Sequence, residues 1–211
     1  MLVIPGAAVR RYVRDAVDAL SSVGIRGDLR AAPGERVVPA DLRGYGHRVA
    51  AEILEQGGVD ALVGLSVGAQ VAAVAAARVG DAVGQLVLIS PTVDPAARTV
   101  PRLVGRWAAG GRVEPASLLP RQLPDWWRAG PARIATVVRS ALAVEIEELL
   151  PDVTCPVTVV HSDGDVITSH AYAARLSAAA TGRLVLVPGS THSWPFDDAA
   201  RFVALIDRLL R

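Results

Sequence analysis

The amino-acid sequence predicts an α/β protein with a mainly parallel sheet that helices cover on both faces. Short, continuous apolar runs alternate along the chain with longer segments of helical character. A strand that is buried on both faces shows such runs because neither of its sides has to be polar. The predicted strands are Leu2–Ile4, Arg36–Pro39, Ala61–Leu65, Leu86–Ile89, Val157–His161 and Leu184–Val187. The predicted helices lie near Ala8–Val23, Arg48–Gln56, Ala69–Val79, Ser169–Ala180 and Asp198–Leu210.

The segment Gly64-Leu65-Ser66-Val67-Gly68 joins a predicted strand to a predicted helix. A sharp strand-to-helix turn around a serine exposes its hydroxyl at the edge of the sheet. Such a turn crowds the backbone, so the residues two before and two after the serine must be small. We therefore interpret Ser66 as a candidate nucleophile. A glycine-rich turn inside a Rossmann-like sheet is the alternative interpretation.

Polar loops follow two later strands of the predicted sheet. One loop contains Asp163 and Asp165, and the other contains His192. A serine alone is a weak nucleophile and requires a base and an acid to activate it. The chain order Ser, Asp, His, with each residue just past a strand, is the order that this kind of site requires. The three loops together predict a nucleophilic site.

These motifs, with Asp41-Leu42-Arg43-Gly44-Tyr45-Gly46 after the second predicted strand, make the chain similar to the α/β-hydrolases. The resemblance covers essentially the whole chain except the middle segment, roughly residues 95–150. One departure follows the first strand, where Pro5-Gly6 stands in place of the family's usual His-Gly.

The resemblance implies an α/β-hydrolase fold in a single domain of residues 1–211, with a short helical lid inserted at about 95–150. The lid would contain two or three helices, including Pro131–Leu150. The family's usual first two strands would be missing, so the remaining six strands would run in the order 2-1-3-4-5-6. Arg36–Pro39 would then be an edge strand, which suits a charged Arg36 and a Pro39 without an N–H.

The resemblance also implies roles for the site residues. Ser66 would attack a carbonyl, His192 would take its proton, and Asp165 would orient the imidazole. The family's loop spacing favours Asp165 over Asp163 as the acid. Asp94 occupies a place where some relatives keep the acid instead.

Two backbone N–H groups, of Ala7 and Val67, would form the oxyanion hole. The lid segment contains three tryptophans, for which packing onto the sheet and contact with substrate are both open. The candidate pocket residues are Leu65, Tyr45, Trp107, Trp126 and Trp127.

Composition narrows the classes of partner. A net charge of +1 gives no reason to expect nucleic acid or an anionic membrane as a partner. Cys155 is the one cysteine, so an intrachain disulfide is excluded, and no cluster has metal-ligand spacing. We therefore expect no metal and no other cofactor. The sequence contains neither a signal-peptide pattern nor an apolar stretch long enough to span a membrane, which favours a cytoplasmic protein.

The function that these residues favour is hydrolysis of a carboxylic ester or thioester of a moderately apolar acyl compound, a small-molecule substrate, through an acyl-enzyme. An acyltransferase or cyclase of a biosynthetic pathway would use the same intermediate. A non-catalytic binding protein on the same fold is a third hypothesis. The sequence does not indicate the natural substrate or the oligomeric state.

Overall fold

A computed structural model describes residues 1–7 and 9–211, and in this part of the chain six parallel strands form one sheet. The strand order is β2-β1-β3-β4-β5-β6, as the resemblance implies. The strands are β1 (Leu2–Ile4), β2 (Asp28–Leu29), β3 (Leu62–Leu65), β4 (Leu86–Ile89), β5 (Val157–Ser162) and β6 (Arg183–Val187). The helices are α1 (Arg11–Ala19), α2 (Leu42–Glu55), α3 (Val67–Val79), α4 (Val100–Val113), α5 (Leu118–Ala129), α6 (Pro131–Ala143), α7 (Ile146–Leu149), α8 (His170–Ala179), α9 (Trp194–Asp197) and α10 (Ala199–Leu210). Ala8, the predicted first residue of the first helix, lies outside the described residues.

The prediction of the second strand is wrong, because β2 is Asp28–Leu29 and not Arg36–Pro39. In the segment expected to be a strand, and in the two residues before it, backbone carbonyls accept hydrogen bonds from arginine side chains. Arg133 of α6 donates to the carbonyls of Gly34, Glu35 and Val38, and Arg48 of α2 donates to that of Val37. Val38 itself is buried in the core, which explains the apolar run that resembled a strand.

Strands β1, β3, β4 and β5 bury both of their faces, as their continuous apolar runs indicate. Leu2, Ile4, Leu62, Leu88 and Val159 point into a core with α2, α3 and α8. Alternate residues point into a core with α1 and α10: Val3, Val63, Leu65, Ile89 and Val160. This alternation follows from the two-residue period of a strand.

The Asp41–Gly46 motif has a structural role at the start of α2. The side chain of Asp41 caps the helix by accepting from the Gly44 N–H at 2.6 Å. An added Cβ at Gly46 would lie 2.4 Å from Cγ1 of Val74, so this glycine allows α2 to pack closely on α3. The helix therefore begins six residues before the predicted start at Arg48.

The segment between β4 and β5 forms α4, α5, α6 and the short α7, and we call residues 95–150 the lid segment. The predicted helix Pro131–Leu150 is interrupted at Val144, whose backbone is extended. The buried Gln70 of α3 donates from Nε2 to the carbonyls of Ala141 and Val144. These bonds satisfy carbonyls at the end of α6 that would otherwise lack partners.

Among the described residues, no helix combines the length and the apolar character that a membrane span needs.

Candidate active site

Ser66 lies at a turn between β3 and α3 that only small neighbours permit. Its backbone has φ 53° and ψ −120°, a conformation that L residues rarely adopt. A Cβ at Gly64 would lie 2.6 Å from Cα of Ala69, and a Cβ at Gly68 would lie 2.3 Å from the carbonyl oxygen of Ile4. Both glycines are therefore needed for the turn, and the Ser66 side chain is held half-buried at the carboxyl edge of the sheet.

The structure brings Ser66, His192 and Asp165 together. Nε2 of His192 lies 3.0 Å from Oγ of Ser66, and Nδ1 lies 2.8 Å from Oδ2 of Asp165. Because an ionised carboxylate can only accept, Nδ1 carries the proton and Nε2 is left to accept from the serine hydroxyl. This arrangement can take a proton from Ser66 as its oxygen attacks a carbonyl carbon.

Asp165 is held as a buried carboxylate. Its Oδ1 accepts from the backbone N–H groups of Ile167 and Thr168 at 2.8 and 2.9 Å. Burial raises the pKa of Asp165, but His192 and these N–H groups outweigh burial, so the pKa lies below its ordinary value. The carboxylate of Asp165 is therefore ionised at the pH values at which a histidine can act as a base.

The other two candidate acids have partners elsewhere. Oδ1 of Asp163 accepts from the Gly189 N–H at 2.7 Å, so this residue joins the two loops that follow β5 and β6. Asp94 pairs with Arg106 at 2.8 Å and accepts from the N–H groups of Ala96 and Ser169. These contacts support the preference for Asp165 at the histidine.

The imidazole of His192 is strongly affected by its surroundings. Burial lowers the pKa of His192, but the charge and hydrogen bond of Asp165 raise it more, and Glu114 raises it further. The pKa therefore lies above the ordinary value. The nearby His161 is different, since burial lowers its pKa and its buried Nδ1 has no partner in the described residues. Burial therefore favours the neutral form of His161 beside the site.

The loop after β1 packs directly against Ser66. A Cβ at Gly6 would lie 3.5 Å from Cβ of Ser66, so Ala7 follows a residue whose Cα faces the serine side chain at close range. The Ala7 carbonyl accepts from the indole N–H of Trp126 at 3.4 Å. Val67 is the first residue of α3, where backbone N–H groups have no intrahelical partner. Both N–H groups expected to form an oxyanion hole therefore belong to segments adjoining Ser66.

The expectation that Tyr45 and Leu65 line the substrate pocket is corrected by the burial of both side chains. Tyr45 is 2% exposed, lies in the core with α3, and donates its hydroxyl to the Ala31 carbonyl. Leu65 is also 2% exposed, and its side chain points into the core with α1 and α10. Each is adjacent to a motif in sequence, but its side chain points into a core.

The lid tryptophans have different surroundings. Trp126 contacts the Ala7 loop through its indole N–H, whereas Trp127 is 89% exposed to solvent. Trp107 packs against the core with α2 and α3. Of these three tryptophans, Trp126 contacts a loop that adjoins Ser66, whereas Trp127 points into solvent.

Glu114, between α4 and α5, contacts the His192 loop and was missed by sequence reasoning. Its carboxylate accepts hydrogen bonds from Thr191 and Ser193. No motif surrounds this glutamate, so the sequence contains no signal that singles it out.

Within residues 1–7 and 9–211, His, Cys, Asp and Glu side chains do not form a cluster that could hold a metal ion.

Comparisons with known proteins concern the family and the fold of the chain. A sequence model of the alpha/beta hydrolase family matches residues 1–205, whereas no curated protein matches the sequence significantly. A hydrolase from Oleispira antarctica is similar in structure, with a TM-score of 0.80 and 15% identity over 99% of this chain and 89% of that one.

An esterase from Rhodococcus sp. ECU1013 has a TM-score of 0.69 and 22% identity, covering 99% of this chain and 89% of that chain. The enol-lactonase from Burkholderia xenovorans LB400 has a TM-score of 0.75 and 18% identity, covering 100% and 91%. At these identities the structural matches show a shared fold.

Proposed function

The chain belongs to the alpha/beta hydrolase family and is a hydrolytic enzyme, and we propose that it cleaves a carboxylic ester or thioester of a moderately apolar acyl compound. The observation that carries this proposal is the hydrogen-bonded chain from Ser66 through His192 to Asp165. The histidine thus contacts both the nucleophile and the orienting acid, as acyl transfer to a serine requires.

In the proposed reaction, Oγ of Ser66 attacks the substrate carbonyl carbon while Nε2 of His192 takes the hydroxyl proton. Asp165 stabilises the resulting imidazolium, and the N–H groups of Ala7 and Val67 bind the developing oxyanion. The imidazolium then gives its proton to the leaving alcohol or thiol, which leaves an acyl-enzyme. A water molecule, activated by His192, releases the acid and restores Ser66.

The ester class is supported by the charges around the site and by the structural relatives. The guanidinium of Arg106 is paired with Asp94, so its charge is balanced within the protein. The indole of Trp126 beside Ala7 offers an apolar surface to an acyl group. The Rhodococcus protein is named an esterase and the Burkholderia protein an enol-lactonase, and a lactone is a cyclic ester.

A fluorophosphonate probe tests the nucleophile, because it reacts with activated serines. We expect labelling at Ser66, none in Ser66→Ala, and a strong decrease in His192→Ala. Ser22→Ala, which alters an exposed serine after α1, serves as the matched control and should be labelled normally. Labelling that persists in Ser66→Ala, or fails in the unaltered protein, would contradict the proposal.

A chain-length series of nitrophenyl esters and acyl thioesters then tests the substrate class. We expect hydrolysis of at least one series, with the free acid as the product. Transfer of the acyl group to an added alcohol or amine in preference to water would contradict hydrolysis.

A further inference from the structure

Glu114 reaches from the lid segment to the loop that carries His192. Oε2 of Glu114 accepts from the hydroxyl of Thr191 at 3.0 Å, and Oε1 accepts from the backbone N–H of Ser193 at 3.1 Å. Thr191 and Ser193 are the residues directly before and after His192. One carboxylate thus binds the chain on both sides of the imidazole.

Helix α4, which ends just before Glu114, also contacts the loop of Asp165. Arg106 donates to the Ile167 carbonyl at 2.7 Å, and Ile167 in turn donates its N–H to Asp165. A Cβ at Gly110 would lie 3.0 Å from Cδ1 of Ile167, so the helix packs closely on this loop. Helix α4 and the glutamate that follows it therefore connect the loop of Asp165 with the loop of His192.

The charge of Glu114 also acts on the imidazole. Among the described residues, Asp165 and Glu114 raise the pKa of His192, and His161 is the other titratable group that interacts with this imidazole. Asp165 has the larger effect and Glu114 adds to it, while burial disfavours the charged form of His161. Glu114 is thus a second anion that favours the protonated form of His192.

On the premise of the proposed function, we propose that Glu114 is a positioning residue of this active site. It holds the His192 loop so that Nε2 stays at hydrogen-bond distance from Ser66, and it stabilises the imidazolium formed when the serine attacks. The lid segment then contributes to catalysis through helix α4 and the glutamate that follows it.

Two substitutions separate shape from charge at this position. Glu114→Ala removes both hydrogen bonds, and Glu114→Gln keeps the side-chain shape but removes the charge. Glu148→Gln is the matched control, because Glu148 is an exposed glutamate of the same lid segment. For each protein, the rate of fluorophosphonate labelling and kcat/KM for a nitrophenyl ester are measured across the pH range in which histidine titrates.

We expect Glu114→Ala to lower both rates by about ten- to a hundredfold, since small displacements of a catalytic group are costly. In Glu114→Gln we expect the midpoint of the pH profile to move to lower pH, because a positive imidazolium loses a neighbouring anion. Glu148→Gln should change neither quantity. Rates are compared for variants that keep a single thermal unfolding transition.

If the unaltered protein is labelled at Ser66 and both Glu114 variants match Glu148→Gln, the proposed function stands and the role of Glu114 is refuted. A slower Glu114→Ala with no movement of the pH midpoint in Glu114→Gln would make Glu114 a structural contact only, which also overturns the proposal. If the unaltered protein is not labelled at Ser66, the proposed function fails and the role of Glu114 fails with it.

Discussion

Replacing Gly68 with alanine tests the close approach between helix α3 and the loop after β1. An alanine Cβ would lie 2.3 Å from the Ile4 carbonyl oxygen and 2.4 Å from that of Pro5. Both contacts are with backbone, so the helix or the loop must move by about 0.7 Å to reach the 3.0 Å that real Cβ atoms respect. Overpacking costs about 1–3 kcal/mol, and the helical preference for alanine recovers about 1 kcal/mol. We expect a net loss of up to about 2 kcal/mol in the free energy of unfolding.

The same displacement separates the Ala7 loop from Ser66. A shift approaching 1 Å in a catalytic group lowers activity by about a hundredfold, so kcat/KM should fall strongly in Gly68→Ala. Urea denaturation measures the stability, and ester hydrolysis measures the activity. Gly105→Ala is the control, because Gly105 lies in helix α4 with no atom within 4 Å of an added Cβ. The free energy of unfolding of Gly105→Ala should increase by about 0.5–1 kcal/mol. Wild-type stability and activity in Gly68→Ala would refute the steric reasoning.

Other perturbations test the roles of single groups. Asp165→Asn keeps the side-chain shape but removes the charge that sets the His192 tautomer, so kcat should fall by about 10³–10⁴-fold. Asp163→Asn should lower kcat by less than about tenfold, since Asp163 binds only a neighbouring loop. Equal losses of kcat in the two variants, measured in steady-state assays, would contradict the assignment of Asp165 as the acid. The pH profile of kcat/KM should rise with a midpoint above 6.5, because burial lowers the pKa of His192 but Asp165 raises it more, and only neutral imidazole accepts the proton; a midpoint below 6.5 would contradict this. Ala7→Pro, which lacks the N–H, should be several hundredfold slower than Ala7→Ser in ester hydrolysis. Equal rates would exclude Ala7 from the oxyanion hole.

The sheet could be predicted wherever strands are buried on both faces, because burial leaves a continuous apolar run. β2 is different: it has two residues, Asp28 and Leu29, neither of which is fully buried. The sequence instead favours the segment Arg36–Pro39, whose apolar run reflects the packing of Val38 into the core. Its carbonyls bind Arg133, which is distant in the chain, and a local pattern cannot indicate such a partner.

The candidate site was predictable to the extent that strand ends determine it. Parallel strands place their carboxyl ends at one edge of the sheet, so Ser66, Asp165 and His192 could be expected to meet there. The pocket residues were harder to predict, because proximity to a motif in sequence does not determine where a side chain points. Leu65 is next to Ser66, yet strand alternation turns its side chain into the opposite core. Glu114 comes from the lid segment, where no motif marks the contact.

The contacts of Arg133 and Gln70 have a consequence for protein engineering. Arg133 satisfies three carbonyls at the rim next to α2, and Gln70 anchors the end of α6 to the helix that follows Ser66. A chimera that exchanged residues 95–150 for the insertion of a relative would therefore strip hydrogen-bond donors and acceptors from the scaffold. Successful grafts should carry over an arginine equivalent to Arg133, and libraries that diversify substrate preference should vary α5 while leaving α4 and α6 intact.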